Sequence, residues 1–177
     1  MSKRLFPFPL TKNKKMNDKK IVFTILVAAT LAMIAFGQPG TGYPKSSLAQ
    51  KIVGEWRNQS IKIKINSYRN KDTIVLMEAN ASNWEEKLHI KPIRTFFKAD
   101  RSYYSEYRDL QDSIIRRPTG EWRTRGDTIV MTELTPEKAV YTFHLSIKKN
   151  IATFIGVIDF DGDGKKDDEY YGTQKKF

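Results

Sequence analysis

Near its C-terminus the chain reads DFDGDGKKDDE over residues 159–169, six carboxylates in eleven residues of an otherwise basic protein. Like charges this close raise one another's pKa and oppose a compact turn, so the segment calls for a cation. The spacing says which kind. Asp159, Asp161 and Asp163 fall on alternate residues, Gly164 follows where a sharp turn is needed, Lys165 offers a backbone carbonyl and Asp167 a further carboxylate. Those are positions 1, 3, 5, 6, 7 and 9 of a calcium loop, in which hard oxygen ligands curl round a hard ion. Ca²⁺ in a structural role is the expected cofactor, bound weakly, with Kd about 10⁻⁴ to 10⁻³ M in the manner of extracellular modules. Position 12, where a bidentate Glu would stand, is Tyr170, so Asp168, Glu169 or water has to complete the shell. The alternative is a solvated acidic turn with no metal.

A calcium site needs a compartment that holds the ion, and the N-terminal text supplies one. Residues 21–35, IVFTILVAATLAMIA, carry no charge, follow the cationic run Lys12–Lys20 and precede Phe36-Gly37-Gln38. This is the layout of a secretory signal peptide, with Ala35 and Gly37 as the small residues at the cleavage site. Residues 1–37 are read as that signal, and Met16 opens a second, more ordinary start. An uncleaved anchor is the weaker reading, because a spanning helix needs roughly 20 apolar residues. The localisation expected is export, to a periplasm or the exterior, with no membrane attachment after cleavage.

Export changes what the charge means. The full chain has 31 basic and 20 acidic residues, net +11. Residues 1–37 hold seven of the basic (Lys3, Arg4, Lys12, Lys14, Lys15, Lys19, Lys20) and one of the acidic (Asp18), which leaves 24 against 19, net +5. A nucleic-acid partner is therefore not expected. The chain has no cysteine, so neither a disulfide framework nor a lipid-acceptor thiol is available. The product has to be held by its core or by a metal; its oligomeric state is not legible.

What must position the acidic loop is β-structure. Residues 38–49 read as a flexible leader, with a single helical turn near 46–53, and one domain is expected over residues 50–177. From Gly54 onward, Ile61, Ile63 and Ile65 alternate with Lys62, Lys64 and Asn66, and Tyr141, Phe143, Leu145 and Ile147 alternate with Thr142, His144 and Ser146. That period of two is the mark of strands with one buried face. About ten strands are predicted, near 52–58, 60–67, 73–79, 87–98, 102–108, 113–124, 127–134, 139–147, 151–158 and 168–176. All links but Asn80–Lys87 are hairpin-short, and ten such strands escape unpaired edges by closing into an antiparallel up-and-down barrel. The fold class expected is all-β.

Gly54-Glu55-Trp56 at the start of the first strand resembles the Gly-x-Trp signature of lipocalins and their relatives. The resemblance implies that Trp56 closes one end of the barrel beside Gly54, with a basic residue of the last strand across its ring. Lys175 or Lys176 of "YYGTQKKF" stands where that residue belongs, Lys175 being favoured, although lipocalins more often use arginine. Gly120-Glu121-Trp122 repeats the same three letters at another hairpin. Residues 50–177 as a whole resemble the lipocalin-like domains of exported proteins of Bacteroidetes-type bacteria, a likeness that constrains fold better than function. The acidic loop, flanked by strands, resembles the Asp-x-Asp-x-Asp-Gly-x-x-Asp loops of β-hairpins in propeller and adhesion proteins.

Catalytic motifs are absent: no nucleophile elbow, no His-Glu-x-x-His, no glycine-rich phosphate loop, and His89 and His144 on separate elements. An enzyme is not expected. Two classes remain. The favoured one is a binding module whose barrel encloses a small apolar ligand. The aromatic supply on adjacent strands is generous (Phe96, Phe97, Tyr103, Tyr104, Tyr107, Tyr141, Phe143, Phe154), with Trp84, Phe97, Tyr104, Tyr107 and Phe143 the ligand-lining candidates. The other is a solid-core structural or protein-interaction module of the envelope, its interior filled by those same rings. A hollow or a filled barrel decides between them.

Overall fold

The computed structural model describes residues 47–177; the expected signal peptide and most of the leader lie outside the described residues. A short helix, α1 (Ser47–Ile52), leads into β1 (Gly54–Ile65). A 3-10 turn (Tyr68–Asn70), β2 (Val75–Asn80) and a single helical turn, α2 (Trp84–Leu88), follow. Then come β3 (Arg94–Phe97), β4 (Ser102–Arg108), β5 (Ile114–Arg116), β6 (Thr119–Arg125) and β7 (Thr128–Thr135). The chain finishes with β8 (Ala139–Lys148), β9 (Ile151–Ile158) and β10 (Asp168–Lys176).

Strands β1, β10, β9, β8, β7, β6, β4 and β3 pair in that order, and β3 returns to β1. The result is a closed eight-stranded antiparallel barrel with two extra strands, the all-β architecture that the alternating pattern predicts. Closure leaves the ring without an open edge. Strand β1 is long because it serves two neighbours on one side: Gly54–Arg57 lie against β3, and Ser60–Ile65 against β2.

Ten strands form among the described residues, but they divide the chain differently from the sequence reading. The two strands expected at 52–58 and 60–67 are one, interrupted by a bulge between Asn58 and Ser60. The bulge switches which face looks inward. Trp56 and Asn58 are buried before it, and Ile61, Ile63 and Ile65 after it. The strand expected at 113–124 breaks into β5 and β6 at Pro118, which has no N–H for a ladder but accepts from Ser105 N through its carbonyl at 2.9 Å. The expected strand 87–98 shrinks to β3, because Trp84 and Leu88, one turn apart, bury a helical face instead.

Two cores result. At the base, where β1 begins and β10 ends, α1 lies over Trp56, Phe97, Trp122, Ile129, Leu145 and Ala152. At the other end, Ile61, Ile63 and Ile65 of β1 pack with Ala79, Trp84, Leu88 and Ile90. The base is sealed as the Gly-x-Trp resemblance implies, with one correction. Lys176, not Lys175, places its ammonium 5.4 Å from the centre of the Trp56 ring and donates to Lys51 O at 2.8 Å. Parity decides this, since Lys176 pairs directly with Trp56 whereas Lys175 pairs with Arg57 and lies exposed on the outer face. Gly54 has φ +132°, and a Cβ there would stand 2.9 Å from Lys176 Cε, so glycine is what admits the lysine stem.

Candidate ligand cavity and acidic loop

Between the two cores lies a cavity of about 390 Å³. Its wall is the inward row of the barrel strands, closed on one side by α2. Trp84, Phe97, Tyr107 and Phe143 of the expected lining are there. Tyr104 is not. On β4 the residues turned inward are Tyr103, Ser105 and Tyr107, so Tyr104 faces out, where it stacks on Phe96 at 4.5 Å between ring centres under the Arg117 guanidinium. Met77, Met131, Phe154, Tyr141 and Tyr170 complete the mainly apolar and aromatic surface.

The sequence reading missed the polar part of this wall. Arg116 Nη2 donates to Glu133 Oε1 at 2.8 Å, and the guanidinium lies 5.4 Å from the Tyr107 ring centre. Burial pushes the Glu133 carboxyl above its ordinary value, with Arg116 pulling the other way and Glu137 adding to the rise. Burial likewise raises the Tyr103, Tyr107 and Tyr170 phenols, and Tyr141 is pushed up to about 12. These phenols therefore stay neutral donors and acceptors near pH 7. No local motif announces the group, because β4, β5, β7 and β8 bring it together only when the barrel closes.

Glu137, Lys138 and Gly162 are the exposed residues of the wall, so the cavity opens between the β7–β8 turn and the acidic loop. Asp159 and Phe160 of that loop also line it. The two features singled out in the sequence are thus neighbours.

In the loop itself, Asp159 organises the turn. Its Oδ1 accepts from Gly162 N at 2.8 Å and Asp163 N at 3.1 Å, and its Oδ2 accepts from Gly164 N at 3.0 Å. Gly164 has φ +92°, a conformation that glycine adopts without strain. The carboxylates that converge are those of Asp159, Asp161 and Asp168, whose oxygens lie within 4.8 Å of one another, a group that could hold a metal ion. Asp163 and Asp167 of the expected ligand set lie outside it. Asp163 Oδ1 accepts from Lys165 N at 2.9 Å, and Lys165 Nζ stands 3.9 Å from its Oδ2. Asp167 Oδ2 accepts from Ser67 Oγ at 2.8 Å.

Asp168, one of the groups expected to complete the shell, joins Asp159 and Asp161. It is fully buried and ties three segments together, accepting from Asn66 N at 2.9 Å and Phe160 N at 2.7 Å. Burial is the main cause that holds its carboxyl above the ordinary value of 3.8, with the Asp161 charge adding to the rise. Lys64 answers Glu169 at 2.8 Å, on the outside of the barrel. The donor set is all oxygen, which suits a hard cation such as Ca²⁺.

The two histidines stand apart: His89 closes α2 at its C-terminus, and His144 faces outward, its Nδ1 3.2 Å from Asp127 Oδ2. No protein-family model matches the chain, and no curated protein matches it. The closed barrel is compatible with a lipocalin-like fold.

Proposed function

We propose that this protein is an exported, lipocalin-like binding module that takes one small, mainly apolar ligand into its barrel. The observation that carries the reading is the cavity of about 390 Å³, which lies within the size range of small-molecule sites and has an opening marked by exposed residues. A solid-core interaction module, the competing reading, would have filled that space with the same aromatic side chains. The test is titration with N-phenyl-1-naphthylamine, whose emission rises in apolar surroundings. Saturable uptake of one probe per chain is the expected result, and a flat titration at millimolar protein and Ca²⁺ would refute the reading.

Calcium belongs to the same proposal. The Asp159, Asp161 and Asp168 carboxylates would hold the ion and thereby fix the loop beside the cavity opening. A ligand that binds only the folded chain stabilises it by RT ln(1 + [L]/Kd), about 1.4 kcal/mol at tenfold excess over Kd. Melting is therefore expected to rise in millimolar Ca²⁺ and to return to its starting point with chelator. Asp168→Asn should abolish the rise, whereas Lys165→Ala should keep it. The pH dependence has a definite sign. A carboxyl held above its unfolded value keeps its proton longer when folded, so the Asp168 contribution favours the fold in acid and is lost as pH rises through the raised value. Protons and Ca²⁺ compete for this group, and the calcium-induced rise should shrink as pH is lowered through the raised Asp168 value. A rise that stays unchanged down to the pH at which Asp168 is protonated would exclude it as a ligand.

A further inference from the structure

Arg116 and Glu133 both line the cavity, but the two charges are not equally engaged. The guanidinium is held twice, by Glu133 Oε1 at 2.8 Å and by the Tyr107 hydroxyl. The carboxylate is held once. Its Oε2 has no hydrogen-bond partner within the protein, and neither have the hydroxyls of Tyr103 and Tyr141. Among the described residues, the polar side-chain atoms that are both sealed and unmatched belong to Asn58, Trp84, Asp163, Asp167 and Gln174. The Glu133 oxygen and the two phenol oxygens are not of that kind, so all three keep surface that a water-sized group can reach.

Strand register makes these groups neighbours. Tyr103, Gly120 and Glu133 fall in one row across β4, β6 and β7, and the next partner in the row is Ala139 of β8, two residues before Tyr141. A Cβ at Gly120 would stand 2.8 Å from Tyr103 Cε1, so the Tyr103 ring lies over the glycine that separates it from Glu133. The Glu133 charge acts on both phenols, adding to the rise that burial causes. A buried carboxylate is costly to desolvate and normally accepts several hydrogen bonds. Here such an acceptor lies open beside two phenol oxygens that can accept as well. Three neighbouring acceptors suit a group with three donors, and a protonated primary amine has three. The ring faces of Tyr141, Phe143 and Phe154 in the same wall also attract a cation. An anion meets the reverse: Glu133, Glu137 and Asp159 stand against Arg116 and Lys138, and Arg116 is already held.

We infer that the ligand is a primary amine on an apolar frame, bound as its ammonium, with N–H groups that donate to Glu133 Oε2 and to the Tyr103 and Tyr141 hydroxyls. This rests on the ligand-binding reading above and specifies the polar end of the molecule that the cavity takes.

Three probes of similar shape separate the chemistries: 2-naphthylmethylamine, an ammonium at pH 7, the neutral 2-naphthylmethanol and the anion 2-naphthoate. Each is measured on the full chain by displacement of N-phenyl-1-naphthylamine at fixed Ca²⁺. The amine is expected to bind about tenfold or more tightly than the alcohol, the worth of one charge-assisted hydrogen bond, and 2-naphthoate is expected to bind weakest. Tyr103→Phe and Tyr141→Phe, which each remove one hydroxyl and keep the ring, should each cut the amine's advantage over the alcohol by about threefold. Glu133→Gln should abolish the advantage and turn the order toward 2-naphthoate, because Arg116 loses its carboxylate partner. A Glu133 that serves only the fold would instead weaken all three probes alike and leave their order unchanged. Equal affinity for amine and alcohol, tightest binding of 2-naphthoate by the wild type, or an amine advantage that survives Glu133→Gln or both tyrosine substitutions would overturn this inference alone. So would a barrel that takes up N-phenyl-1-naphthylamine but yields it to none of the three. A barrel that does not take up N-phenyl-1-naphthylamine at all would overturn the binding reading and this inference together.

Discussion

Trp56→Ala is expected to lower the free energy of unfolding by about 3–5 kcal/mol, the range for truncating a fully buried large aromatic. Trp56 has no exposed surface, and it sits on the seam that closes the barrel, paired with Thr95 of β3 on one side and Lys176 of β10 on the other. Its indole N–H donates to Ile52 O at 2.6 Å, which holds α1 against the base. Truncation would therefore open a void and release the helix together. Denaturant unfolding checks this: the midpoint should fall sharply, and α1 should lose its amide-exchange protection first. Lys176→Ala should cost about 1 kcal/mol through the lost ring contact, and Lys175→Ala almost nothing. A loss below about 1 kcal/mol for Trp56→Ala would mean that the base is not sealed by this residue.

The second large effect is at Trp84, where sequence and structure part. A ligand-lining tryptophan in the one long connection, near the open end, is expected from the sequence to cost far less in stability than Trp56 when truncated. In the fold it is as buried as Trp56 and packs with Ile61, Ile63, Leu88 and Ile90. Trp84→Ala is expected to cost about 2–4 kcal/mol: the truncation of a buried indole, partly offset because its N–H, which has no hydrogen-bond partner, goes too. Trp84→Phe isolates that offset. Keeping most of the ring while removing the N–H, it should leave stability within about 1 kcal/mol of wild type. Chemical unfolding of the pair, read through the midpoint at constant slope, gives both numbers. Loss of several kcal/mol in Trp84→Phe would show that the N–H has a partner after all.

Much of the barrel was legible because alternation is a local signal. β4 and β8–β10 fall within a residue of their expected limits, and the Gly-Glu-Trp triplets mark two tryptophans that reach the same base core. Each has a cation over its ring, Lys176 at 5.4 Å for Trp56 and Arg101 at 4.5 Å for Trp122. What escaped was whatever depends on a partner strand. The bulge that turns Asn58 inward exists only against Gln174, and the β5–β6 break at Pro118 only against β4. Tyr104 and Lys175 were misplaced by one position each, which in a strand is a change of face. The acidic loop shows the same division. Its turn, built by Asp159 and Gly164, follows from spacing within five residues, whereas the burial that brings Asp168 into the carboxylate group comes from Asn66 and the end of β1. The polar wall was invisible for this reason too, since Arg116 and Glu133 are ordinary residues until the ring closes.

The central claim is that a ligand enters the barrel, and two of the five methionines are placed to report on it. Met77 and Met131 both line the cavity, on different strands, whereas Met1, Met16 and Met33 lie outside the described residues. With ¹³C-methyl methionine incorporated into the full chain, their methyl signals can be assigned by Met77→Leu and Met131→Leu and followed while N-phenyl-1-naphthylamine is added. Ring-current shifts at both signals, saturating together at one equivalent with direct contacts from probe protons to both methyls, are the predicted result. Saturable binding that leaves Met77 and Met131 unmoved would place the ligand elsewhere and contradict the account.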